Sequence, residues 1–392
     1  MNPKTESGFF RLVFLVLVLL PVVVWPLGTT YAGPALSVLS FCLIYLIASQ
    51  ALNLQVGYTD LLNLGPVAFV GIGGYTAAIL LHIPSAGGEG VSPSALVAFW
   101  QGVTPDLQES ALRWPLFFVD PNFLAYLTVT PIAMAVAGLG AVLIGVPTLR
   151  LRGDYFAIVT LGLAQILQLF VRNEDWLTDG SKGIGELPTV LSFAIGDAGS
   201  PFALKTGHYF LGLMFLALSL WIMIRLRDSR IGRAFMAIRD DELAAQSNGI
   251  QLSYYRMMSF TISAMICALA GVALVARVRF ISPSDLMFWE SILYLCCIVL
   301  GGLGSVRGAL IGALIIGGAG ELMRIGITHL PPGWNVPAQL RYILFGVILI
   351  AVMRFRPEGL HSAAQEEIER GESEVGLHRD VKPTLFAIGE KA

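Results

Sequence analysis

Charge is what this sequence has least of. Asp, Glu, Lys and Arg make up 13% of the 392 residues, against 55% hydrophobic residues, whereas a water-soluble domain carries charge on about a quarter of its residues. A soluble enzyme or soluble binding module is excluded on that ground. The formal net charge of −2 lacks the basic excess that a phosphate backbone attracts, so no nucleic-acid partner is expected. The four cysteines, Cys42, Cys267, Cys296 and Cys297, lie inside apolar runs, where a thiol acts as a small hydrophobe, so neither a disulfide framework nor a metal site is implied. The five histidines are scattered. No H-E-x-x-H helix, nucleophile elbow or G-x-x-x-x-G-K-[ST] loop occurs. Enzyme chemistry is not expected, this chain needs no cofactor, and any ATP-Mg would belong to another subunit.

Long apolar runs are abundant. Counting those that approach the roughly 20 residues needed to cross a bilayer gives about ten, at 12–28, 36–56, 62–82, 124–146, 155–172, 208–225, 257–276, 289–302, 308–326 and 338–354. The fold class is therefore all-α, a polytopic membrane protein whose first partner is the lipid bilayer. Residues 289–302 and 308–326 can also be read as one helical hairpin that does not fully cross. Residues 1–361 form the transmembrane domain and 362–392 a charged tail, while two polar intervals, about 83–123 and 173–207, face one side and a third, about 226–256, faces the other. With the N-terminus inside and ten crossings, Lys and Arg fall roughly two to one on the inner face. This bias places both termini and residues 226–256 in the cytoplasm.

One span is weakened at many points. Residues 57–80, "GYTDLLNLGPVAFVGIGGYTAAIL", carry five glycines and a proline. Gly71 and Gly74 suit close helix packing, but Gly65–Pro66 removes a backbone donor and interrupts the helix. Backbone broken at membrane depth persists only where protein or a water-filled cavity covers it. A second glycine-rich stretch, residues 300–318 with Gly301, Gly302 and Gly304, reads as its counterpart in an internal repeat. Asn63, Gly65, Pro66, Gly71, Gly74, Gly301, Gly302, Gly304 and the mid-span Gln165 are accordingly the candidates for a translocation path. Of the ionisable residues within spans, Glu321 and Arg324 are three apart and can pair on one helix face, and Glu290 opens the eighth span.

The 226–256 interval contains "AIRDDELAAQSNGI". Residues 231–248 read as one short helix closed by Gly249, a residue that tolerates the left-handed backbone of a helix end. The arginines suit a helix lying on lipid headgroups, whereas the small, uncharged end suits close docking by another protein. This motif resembles the cytoplasmic coupling motif of ABC-importer permeases, in the form found in the LivM-type branched-chain amino acid family, at Arg239, Asp240, Glu242, Ala244, Ala245 and Gly249. Leu243 stands where the general importer motif has glutamate. "LRLRGDYFAIVTLGLAQIL", "LTDGSKGI", residues 57–80 and "CIVLGGLGSVRGALIGALI" are similar to further family segments, in order. Gln165 and Pro66 stand where the family often has glutamate and histidine.

The resemblance implies a permease subunit of a bacterial inner-membrane importer. Its partners would be a homologous second permease, two cytoplasmic ATPases that bind ATP-Mg, and an external substrate-binding protein. A urea or short-amide permease of the same fold is the neighbouring alternative. A self-sufficient secondary transporter is the alternative from another class, and it would need an ion-coupling carboxylate near the midplane.

Overall fold

A computed structural model describes residues 28–82, 121–151, 153–190 and 201–328, with a few isolated positions beyond them. The described residues form helices and no strand. The first and last expected spans, most of the 83–123 interval and the charged tail lie outside them. Among the described residues, six helices are long and apolar enough to cross a membrane. Two shorter apolar helices, Pro66–Leu81 and Phe288–Gly301, fall within two of the other expected segments.

In chain order, α1 (Gly28–Leu52) runs into a π-helical turn, Asn53–Gly57. Then come α2 (Pro66–Leu81), α3 (Pro121–Thr148), α4 (Asp154–Asn173), the one-turn α5 (Asp175–Thr178) and α6 (Pro201–Arg227). The short pair α7 (Arg230–Asp240) and α8 (Glu242–Ser247) leads into α9 (Leu252–Val278), and α10 (Phe288–Gly301) and α11 (Val306–Thr328) complete the set. At a rise of 1.5 Å per residue, α9 is about 40 Å long and crosses easily, while α2 and α10 are about 24 and 21 Å and fall short of a 30 Å core. Each short helix needs non-helical chain to complete its passage.

The core is built on α1 and α9, which run antiparallel. The Ser263 hydroxyl donates to the Ala51 carbonyl at 2.6 Å near one end, and Arg277 reaches the Ser37 carbonyl at 3.2 Å near the other. Against α9 pack α2 and α3; against α1 pack α10 and α11. Close approach explains the small residues: a Cβ at Gly73 would sit 2.5 Å from Ala268 Cα, and one at Gly271 would sit 2.0 Å from the Val70 carbonyl oxygen. The α2–α9 crossing therefore joins backbone to backbone, and larger side chains there would push the helices apart.

These contacts form two mirrored sets, and they correct the pairing read from the sequence. A long helix, an irregular stretch and a short helix recur twice: α1, residues 58–65, α2; then α9, residues 279–287, α10. The counterpart of the Gly65–Pro66 break is thus the stretch around Pro283. Gly301, Gly302 and Gly304 form the tight turn of the α10–α11 hairpin, with φ of 116° at Gly302 and 79° at Gly304. Glu321 is buried and pairs with Arg277 on α9 at 3.3 Å; the side chain of Arg324, its expected i, i+3 partner, lies outside the described residues. The contact sets a half-buried guanidinium against a buried carboxylate, which offsets the cost of burying the charge.

Candidate functional site

The first break is largely buried, with Asp60 exposed, and polar side chains meet several of its backbone groups. Asn63 accepts from the Gly65 N–H at 2.8 Å and donates to Gln55 Oε1 at 2.7 Å. The Leu64 N–H donates to the Thr160 hydroxyl of α4 at 3.1 Å, and the Val67 N–H to the Ser291 hydroxyl of α10 at 3.2 Å. Thr59 and Leu61 both donate to the Gln55 carbonyl, and the Thr59 and Ser259 hydroxyls lie 3.2 Å apart. Each unmet backbone group in hydrocarbon costs several kcal/mol, so this set of polar partners is what lets six residues, 60–65, leave helical geometry beside α9.

The path candidates consequently separate. Asn63, Gly65 and Pro66 are buried among neighbouring elements, and a Cβ at Gly65 would lie 2.3 Å from the Thr160 carbonyl. Gly71 and Gly74 face Leu286 and Ile281, so they receive the second break. Gly301 packs on Gly308, and Gly302 and Gly304 are buried in the hairpin turn. Only Gln165 turns outward. One residue that the sequence reading passed over joins it there: Asp60 is exposed, holds a left-handed backbone (φ 51°), and makes no hydrogen bond or ion pair among the described residues. Its signal was a carboxylate in a span, three residues before the first candidate, Asn63.

Both breaks dock on α4. The first meets it at Thr160, and the second meets it where Gln168 donates to the Pro283 carbonyl at 3.0 Å. The second break is also latched by a capping box between Ser282 and Asp285 and by the Ile184–Ile281 backbone bridge from the 173–190 interval. Phe156, Thr160 and Ala164 bury one face of α4, and the other carries Tyr155, Ile158, Gly162, Gln165, Ile166 and Leu169 outward. Gln165 makes no hydrogen bond among the described residues, and a Cβ at Gly162 would meet nothing. An apolar face with a mid-helix amide is poorly matched to lipid and well matched to another polar surface or a wet path.

At the end of the bundle reached by Gly57 lies the 226–256 interval with its candidate coupling motif. The expected single helix is two, because Asp241 leaves helical geometry (φ −157°, ψ 113°) and its carboxylate accepts from the Leu243 and Ala244 N–H groups at 2.8 and 3.0 Å. It acts as the N-cap of α8. Gly249 follows with φ 83° and open space around it. Of the motif residues, Ala245 packs inward on Ile238 and Leu252, Glu242 pairs with Arg256 of α9, and Arg239 donates to the Gly57 carbonyl at 2.8 Å. Outward stand Asp240, Leu243 (77% exposed) and Ala244. The outward surface is an apolar knob with acidic flanks.

Helices of this length and composition, with two buried breaks, define a polytopic helical membrane protein. Comparison with known proteins narrows the class. The family described as branched-chain amino acid transport system / permease component matches residues 35–353, and the chain belongs to it. The high-affinity branched-chain amino acid transport system permease protein LivM of Escherichia coli is 31% identical over 88% of this chain and 74% of its own length. A probable LivM of Methanocaldococcus jannaschii is 24% identical over 81% and 90%. The fructose import permease FrcC of Rhizobium meliloti is 31% identical over 49% of this chain and 52% of its own length. No solved structure matches. The chain is thus a permease component of a transport system and not an enzyme.

Proposed function

We propose that this chain is one of two homologous permease subunits of an ATP-binding-cassette importer for branched-chain or related hydrophobic amino acids. Two ATPase subunits binding ATP-Mg dock at the α7–α8 end, which is the cytoplasmic face of a bacterial inner membrane and the side of both termini. An external binding protein delivers substrate at the opposite end, near the 173–190 interval. The observation that carries the pathway assignment is the docking of both breaks on α4, whose outward face bears Gln165. In this reading the second permease faces α4, and substrate passes between them. Asp60 offers a carboxylate to the substrate ammonium group, and Gln165 offers an amide to its polar end; the apolar side chain slides along Ile158, Ile166 and Leu169.

Motion comes from the ATPases. Leu243 seats in a groove of one of them, as an exposed apolar anchor in a polar surround does at protein interfaces, and closure of the ATPases displaces α7–α8. Reconstitution in vesicles tests the whole reading with labelled leucine, urea and fructose. Leucine uptake that requires ATP, both permeases and the ATPases supports it. Uptake of urea or fructose in place of leucine would move the substrate class, and transport by this chain alone on an ion gradient would replace the mechanism with that of a secondary carrier.

A further inference from the structure

The coupling loop is fastened to the rest of the molecule in two different ways. One attachment is to the start of α9: Ile238 and Ala245 pack on Leu252, the Phe235 ring meets the Tyr255 ring edge-on at 6.2 Å, and Glu242 pairs with Arg256. The other is a single polar link in a different direction. Arg239, the next-to-last residue of α7, sends its guanidinium to the Gly57 carbonyl at 2.8 Å. That carbonyl closes the π-helical turn, where helix-end oxygens lack partners within the helix and attract a cation.

What Gly57 touches gives the link its reach. A Cβ there would lie 2.5 Å from the Gly304 nitrogen, so the backbones of the π-turn and the α10–α11 turn are in direct contact. Asn53 clamps the same place, accepting from the Gly304 N–H at 2.9 Å and donating to the Ser305 carbonyl at 3.2 Å, while Gln50 donates to the Val306 carbonyl at 3.1 Å. Three residues beyond Gly57, inside the first break, is Asp60. The end of α1, the α10–α11 turn and the entry to the break are joined by short contacts into one block, and Arg239 joins that block to α7.

We infer that Arg239 is a positioning residue that carries displacement of α7–α8 to the end of α1, and through it to the 58–65 break and the α10–α11 turn. From an exposed position on α7 its guanidinium reaches inward to a backbone carbonyl, and that contact is what the inference assigns to it. This rests on the proposed importer reading. The test uses the full complex in vesicles with three variants: Arg239→Met, Arg239→Lys and Leu243→Glu. R239M is expected to retain the ATPases on purification and to hydrolyse ATP, with leucine transported per ATP falling at least tenfold. R239K, which keeps a cationic donor, is expected to recover part of that ratio, a rescue that mere loss of packing would not give. L243E is expected to lose the ATPases themselves. A transport-to-hydrolysis ratio in R239M within twofold of the parent overturns the inference, and so does loss of the ATPases in R239M. A parent complex that fails to couple leucine uptake to ATP defeats the importer reading instead, before Arg239 is tested.

Discussion

The two breaks solve the same problem with different materials. Residues 58–65 are held by side chains from several helices, Gln55, Asn63, Thr160, Ser259 and Ser291, which together satisfy a backbone that has no helix of its own. Residues 279–287 are held mainly by their own capping box, by a backbone bridge to the 173–190 interval, and by apolar packing into the glycine face of α2, with one side-chain clamp from Gln168 of α4. Polar clamps lose their energy abruptly when one partner goes, because the other is left buried and unmet. Packing against a flexible side chain gives way gradually. The first break is therefore the brittle one, and it is the one adjoining α7, through the Arg239–Gly57 contact.

The largest difference between them is expected from Asn63→Leu, which conserves volume but strands the Gly65 N–H and Gln55 Oε1. Two buried unmet groups cost about 2–4 kcal/mol, read as a fall in thermal unfolding temperature in detergent. Removing the corresponding clamp of the second break with Asp285→Ala forfeits a capping box worth about 1 kcal/mol. Equal losses in the two variants would erase the distinction between the breaks.

A smaller contrast comes from single methyl groups. At Gly65 a Cβ meets the Thr160 carbonyl at 2.3 Å, a backbone atom that cannot step aside, whereas at Gly71 it meets the Leu286 Cδ2 at 2.6 Å, the far end of a side chain that can. Gly65→Ala is expected to cost about 2–3 kcal/mol and Gly71→Ala about 1 kcal/mol or less. Thermal unfolding of the two variants side by side ranks them, and a greater loss at Gly71 would mean that the second break is the rigid one.

Much of this architecture was legible before any coordinates. Eight of the ten apolar runs overlap described helices, and the break at Gly65–Pro66 stands where proline and glycine signalled it. The mirrored pairing was not legible, because glycine content marked both a true break and a tight hairpin turn, and only α1–α10 and α2–α9 contacts tell them apart. Asn53 and Gln50 escaped notice although they are three apart near the end of an apolar helix, a spacing that places two amides on one face. Their partners are backbone atoms some 250 residues away, which no local pattern could name. The motif at 239–249 was legible as a motif, but the split between buried Ala245, the tethered Arg239 and Glu242, and the outward Asp240, Leu243 and Ala244 needed the helix break at Asp241.

The smallest effect on the fold, and the most informative about function, is expected at Asp60. Asparagine tolerates the left-handed backbone about as well as aspartate does, so Asp60→Asn removes the charge without adding strain. The side chain is exposed and makes no contact that folding would miss, so the unfolding temperature should correspond to a change within about 0.5 kcal/mol. Leucine uptake by the assembled complex should nonetheless fall about tenfold, the equivalent of roughly 1.4 kcal/mol of lost attraction for an ammonium group. The brittle break would then be brittle for a reason: it holds a carboxylate at the path in a geometry that a helix cannot supply, within three residues of the carbonyl that Arg239 grips. Unchanged uptake in D60N, with assembly intact, would leave the 58–65 break a purely structural device and return the pathway to the α4 face alone.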